Sequence, residues 1–205
     1  MAEILMAPGD AVATLRTACH LNENSEPALR ARIRQLIELG VTSLTRETSH
    51  ERHRFGVTEL AQLAVAISLM KARVPPAVAA RLADEAWSEF VPFVLAGIGD
   101  ALPDRFRRLR SAGSGPHAFI EGNGLAELGR KTAQAARSGG PLPKISVRVV
   151  PTIEPVEGFD PDTATYLNAE RFMPAIYEAI VARAQVPEDI WESLTRLRQS
   201  AAGTG

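Results

Sequence analysis

The sequence predicts a mainly α-helical chain with a small α+β part at its C-terminal end. Three observations predict it. Apolar residues recur at the helical period through roughly the first hundred residues. A small-residue stretch, "SAGSGP" at 111–116, then interrupts the pattern. Behind it, "HAFIE" and "ISVRVVPTI" read as strands, the second alternating at Ile145, Val147 and Val149. The chain thus divides into a helical domain over 10–100, a basic segment and linker over 101–115, and an α+β domain over 116–199.

From Asp10 to Leu21, "DAVATLRTACHL" puts Val12, Leu15, Ala18 and Cys19 on one helical stripe. "NENSEP" breaks it, with Asn24 or Ser25 able to cap the next helix and Pro27 suited to a first turn that needs no donor. In "PALRARIRQLIELG" the residues Leu29, Ile33, Leu36 and Ile37 share a face, and Gly40 is the expected stop. A polar bridge from Thr42 to Arg54 leads to a third helix, "TELAQLAVAISLMKA", expected to bury Leu60, Leu63, Ala64, Ile67 and Met70. After "RVPP" a fourth helix runs through "PAVAARLADEAWSEF", and Pro92 is expected to kink or stop the helix. "LAELGRKTAQAA" reads as a helix between the two strands. A helix is expected from about Thr163 to Ala184, with Pro174 inside it or at its true start. The last helix begins at Pro187, with Glu188 and Asp189 at its positive end and Arg196 and Arg198 at its negative end.

Composition narrows the functional classes. Apolar residues make up 45% of the 205 and aromatics only 5%, so the core is built mainly of Ala, Leu, Val and Ile. The net charge is -1, so any electrostatic argument must be local. Cys19 is the only cysteine, which rules out an intramolecular disulfide and suits a reducing cytoplasm. "MAEILMAPGD" is acidic and has too short an apolar run for a secretory signal. No segment approaches the roughly 20 apolar residues of a membrane span, so a cytoplasmic location without membrane contact is expected.

The catalytic motifs are missing: no nucleophile elbow, phosphate loop or HExxH occurs. "FIEGNGLAELG" has the wrong glycine spacing for a dinucleotide fingerprint and reads as a strand-to-helix turn. Cys19, His20, His50 and His53 lack the spacing of a zinc site. No enzymatic activity, cofactor or metal is expected.

The basic residues carry the functional expectation. At about 100° per residue, Arg30 and Arg34 fall on one flank of the second helix's apolar face and Arg32 on the other, while Gln35 points away from it. Arginine and glutamine on an exposed helix face can donate to phosphates and read guanine or adenine edges. The bridge adds Arg46, Arg52 and Arg54 with His50 and His53, against only Glu47 and Glu51. Two helices, a basic loop of hairpin length and two more helices form the layout of a winged helix-turn-helix, which requires cations on the second helix and on the wing. "RFRRLR" at 105–110 is a further basic cluster that could touch flanking phosphates.

The residues "IRQLIELG" and "RFGVTEL" resemble the DNA-binding domain of the MerR family. There a helix with an arginine and a closing glycine is followed by an arginine-rich wing and an acidic helix start. Ile33, Arg34 and Gly40 fall on the helix pattern, Arg54 and Phe55 near the wing's end, and Thr58, Glu59 and Leu60 on the next start. "KARVPPAVAARL" is similar to the family's continuation, and Gln35 and Leu36 stand where the family carries aromatics. The resemblance covers roughly residues 10–90 and implies a MerR-like winged helix-turn-helix. It carries DNA contact to Arg34 and, by position, to Arg46, Arg52 and Arg54. It further implies a homodimer on double-stranded promoter DNA, with RNA polymerase as a further candidate partner. Family members commonly dimerise through a long helix behind this domain. Pro92 and Pro103 would break it here, so helices 163–184 and 187–198 are the expected dimer elements. Two other classes fit the same residues: an adaptor whose cations bind an acidic partner of the transcription machinery, and a regulator whose C-terminal domain binds a small molecule.

Overall fold

The computed structural model describes residues 3–42, 54–104, 115–120, 147–150 and 164–202. Seven α-helices and a three-stranded antiparallel sheet are described among them. The helices are α1 (Pro8–Ala18), α2 (Glu26–Glu38), α3 (Val57–Lys71), α4 (Pro76–Glu85), α5 (Trp87–Gly97), α6 (Met173–Val181) and α7 (Pro187–Gln199). The strands are β1 (His117–Ile120), β2 (Val147–Val150) and β3 (Thr165–Asn168), in the order β2-β1-β3.

Helix α3 is the axis of the fold. It buries Val57, Leu60, Ala61, Gln62, Leu63, Ala64, Val65, Ala66, Ile67 and Leu69, well beyond the one face its period predicted. The reason is that α1, α4, α6 and α7 pack around it. Its alanines let those neighbours approach closely. Met70, expected in the core, is only half-buried.

Helices α1, α2 and α3 end in the same way. Leu21, Val41 and Val74 each donate a backbone hydrogen bond five residues back, to Arg16, Leu36 and Leu69 (2.9, 3.0 and 3.0 Å). His20, Gly40 and Arg73 each donate three residues back, to Thr17, Ile37 and Met70. This is the Schellman motif, whose turning residue must take a positive φ. Gly40 does so at 91°, as its sequence position predicts, but His20 (50°) and Arg73 (66°) do so with side chains.

Three expectations are corrected, and one of the two alternatives for Pro92 is excluded. Ser25 precedes α2, but its hydroxyl donates to the Asn22 carbonyl and does not cap the helix. The fourth helix breaks at Ala86, where α4 ends and α5 begins. Pro92 does not stop α5, which continues to Gly97. Its missing N–H would have met the carbonyl of Ser88, an exposed residue that water can serve, while Phe90, Phe93 and Val94 hold the helix in the core. The helix expected over 163–184 is a strand at Thr165–Asn168, a short 3-10 turn, and then α6 from Met173. Asn168 accepts a hydrogen bond from the Glu170 N–H at 2.9 Å, and Pro174 sits in the first turn of α6, at its true start.

The sheet's register places Ala118 opposite Val149 and Leu167, and Ile120 opposite Val147 and Thr165. Val147 and Val149 pack inward, as their alternation predicts. On the other face Phe119 lies opposite Arg148 and Tyr166. Tyr166 stacks on His117 with ring centroids 5.8 Å apart, and its hydroxyl is 2.8 Å from the imidazole Nδ1.

One continuous core runs from Ile4 to Leu197. It joins helices on both sides of the 101–115 segment: α1 packs on α6, and α3 on α6 and α7. The faces of α6 and α7 that carry Ile176, Ile180, Leu194 and Leu197 are therefore used within the chain. Helix α5 is likewise buried through Trp87, Phe90, Val91, Phe93, Val94 and Leu95. Its Trp87 indole N–H donates to Ser200 Oγ at 2.8 Å, tying it to the C-terminal end of α7.

Candidate nucleic-acid interface

The apolar stripe of α2 fixes which side chains it can present. Leu29, Ile33 and Leu36 are buried, so Arg30, Arg32, Arg34 and Gln35 are left exposed. Leu36 is fully buried, and its carbonyl accepts from the Val41 N–H at the end of α2. Gln35 is exposed on the solvent side.

The four exposed side chains are not equivalent. Glu26, one turn below Arg30, accepts from its guanidinium at 2.8 and 3.1 Å. Glu26 also takes Arg16 from α1 at 3.3 Å. Those contacts, the Arg30 hydrogen bond foremost, hold the Glu26 carboxyl below its ordinary pKa. The spacing of Glu26 and Arg30 made this pair legible in the sequence. Arg32 faces the groove between α2 and the start of α4, away from Arg34. Arg32, Arg34 and Arg54 make no ion pair among the described residues.

The basic bridge is anchored at both ends. The chain leaves the core at Val41, fully buried, and re-enters it at Phe55, 3% exposed. Phe55 forms an antiparallel bridge with Met6, ahead of α1. Thr42, at the exit, is buried with a φ of 99°, an unusual conformation for a β-branched residue. Behind Phe55, the Gly56 N–H donates to the Glu59 carboxylate at 2.9 Å, which fixes the start of α3. Arg54 is exposed at the bridge's end. Arg46, Arg52 and His53, like the 105–110 cluster and the helix expected at 125–136, lie outside the described residues.

Sequence reasoning missed the two cations that share the groove with Arg32. Lys71 ends α3 and donates to the Cys19 carbonyl at 2.9 Å, and Arg73 occupies the turn behind it. No local pattern announces either, because a positive φ at an arginine has no sequence signature. Cys19 itself is buried, and burial pushes its thiol up to about 12 against the attraction of Lys71. Among the described residues no cluster of His, Cys, Asp or Glu could hold a metal ion, and no helix is long and apolar enough to cross a membrane.

No protein-family model, curated protein or solved structure matches the chain.

Proposed function

We propose that this chain is a sequence-specific DNA-binding transcription regulator of the winged helix-turn-helix type. In this reading α2 enters the major groove, and the basic segment between Thr42 and Arg54 lies on the flanking backbone. The observation that carries it is the exposed face of α2. Arg34 and Gln35 stand out from a helix whose opposite side is locked into the core, and no acidic partner among the described residues neutralises Arg34. The Met6–Phe55 bridge adds to it, because it secures the base of the segment that would serve as wing. The MerR-like order of these elements, the cytoplasmic setting and the absence of catalysis belong to the same proposal.

A single module makes too few contacts for high specificity at physiological salt, so the active form is a homodimer on two half-sites of double-stranded promoter DNA. Helix α5 is buried within the chain and offers no antenna for dimerisation. Val181 at the end of α6 and Val186 just ahead of α7, 41% and 47% exposed, are apolar residues left for a partner copy.

The test is an electrophoretic mobility shift with genomic fragments across a range of salt. Specific binding that weakens steeply as salt rises is expected. Failure to bind DNA at any salt would sink the proposal, and an acidic protein partner would then be the better reading of the same cations.

A further inference from the structure

We infer that the cleft between α2, the end of α3 and the start of α4 binds a small amphipathic carboxylate. The cleft is open to solvent and has a volume of about 420 Å³, within the range of small-molecule sites. Its floor is apolar, formed by Leu29, Ile67 and Val74, all buried. Its rim is cationic, with Arg32 from α2, Lys71 from the last turn of α3 and Arg73 from the turn beyond. Among the described residues no aspartate or glutamate lines it. In a chain of net charge -1, three cations around one apolar cleft, with no acid among its described lining residues, form a local field suited to an anion.

Two details argue that these cations are placed for a ligand. Lys71 is steadied by the Cys19 carbonyl, its one hydrogen-bond partner among the described residues, and that leaves two ammonium N–H groups to donate. Arg73 occupies the turning position of a Schellman motif with φ 66°, where glycine would sit without strain. Strained backbone held at the rim of a cleft is a recurrent mark of a binding site. Lys71 also borders a second cleft, of about 250 Å³, lined by Arg171 and His20 and again by no acid among the described residues. A carboxylate on Lys71 and Arg73 with an apolar body against Leu29 and Val74 satisfies both halves of the site. A neutral ligand would leave the cations unused, and a fully polar anion would leave the floor unfilled.

The test is isothermal titration calorimetry on the full chain without DNA, so its result stands apart from the DNA-binding reading. The probes are 4-phenylbutyrate and its neutral counterpart of the same shape, 4-phenylbutanamide. The acid is expected to bind about tenfold more tightly than the amide. Lys71→Gln and Arg73→Gln should each narrow that preference. Ala28→Trp, an exposed position on α2 at the mouth of the cleft, should block both probes while the circular dichroism melt stays unchanged. Equal affinity for acid and amide, binding that survives Ala28→Trp, or no binding of the acid at millimolar concentration would each overturn the inference. If Ala28→Trp folds poorly, the two charge variants decide alone: an acid preference unchanged in both overturns it.

Discussion

Met6 and Phe55 exchange both of their backbone hydrogen bonds, at 2.8 and 3.0 Å. Both side chains are buried, at 1% and 3% exposure. This small bridge holds the segment ahead of α1 against the segment ahead of α3, so Arg54 stands just outside a fixed point.

In the proposed DNA complex, that anchoring gives Arg54, and the buried stripe of α2 gives Arg34, a defined position as a phosphate contact. Each of Arg34→Ala and Arg54→Ala should weaken binding across sequences and lower the slope of log affinity against log salt by about one. Arg30→Ala should lower it less, because Glu26 already engages that guanidinium. Filter-binding titrations at several salt concentrations measure this. Slopes identical to wild type in both Arg34→Ala and Arg54→Ala would remove these residues from the interface.

Gly97 on α5 lies directly against the backbone of Ala169, where the chain passes from β3 into α6. A Cβ at residue 97 would stand 2.7 Å from the Ala169 carbonyl carbon and 2.8 Å from its oxygen. Backbone cannot swing aside as a side-chain tip can. Gly97→Ala is therefore expected to cost about 1–3 kcal/mol, the usual range for overpacking. A thermal melt should fall by roughly 2–4 °C for each kcal/mol in a chain of this size. A melt within a degree of wild type would mean that α5 and Ala169 separate freely.

His20 ends α1 with a φ of 50° and an exposed side chain. Left-handed backbone costs a residue with a Cβ about 1–2 kcal/mol, and glycine returns part of that as chain entropy lost on folding. His20→Gly should thus stabilise the chain by about 0.5–1 kcal/mol, seen as a higher denaturation midpoint. A lower midpoint would show that the imidazole makes a contact worth more than the strain.

The Cys19 thiol tests the core from a different side. Its pKa is raised to about 12, with burial the main cause. In the unfolded chain it titrates near 8.5. Between those values the unfolded state has lost its proton and the native state has kept it. The thiol's contribution to stability is therefore whole below about pH 8.5 and declines by about 1.4 kcal/mol per pH unit above it. Urea midpoints at pH 8 and pH 10 should fall further for wild type than for Cys19→Ala. The native thiol should also resist iodoacetamide at pH 8 and react once urea unfolds the chain. Rapid labelling of the folded protein would place Cys19 at the surface.

Local chemistry determined a good part of this protein. Val12, Leu15 and Ala18 on α1 with Cys19 at its end, and Leu29, Ile33 and Leu36 on α2, are buried because the helical period puts them on one side. Gly40, Pro27 and Pro187 mark helix ends through backbone preferences that no tertiary contact needs to supply. Val147 and Val149 face inward because a strand alternates. The exposure of Arg30, Arg32, Arg34 and Gln35 follows from the same period.

Tertiary structure decided the rest. Thr165–Asn168 pairs as a strand because β1 offers it a free edge, which outweighs the helical pattern that begins only at Met173. Pro92 stays inside α5 because burial of its neighbours holds the helix across a missing hydrogen bond. The Met6–Phe55 bridge, the Lys71–Cys19 contact and the left-handed turns at His20 and Arg73 join or strain residues in ways that depend on where helices meet in space. Period and propensity act over neighbouring residues. The cleft rimmed by Arg32, Lys71 and Arg73 exists only once α2, α3 and α4 are packed together.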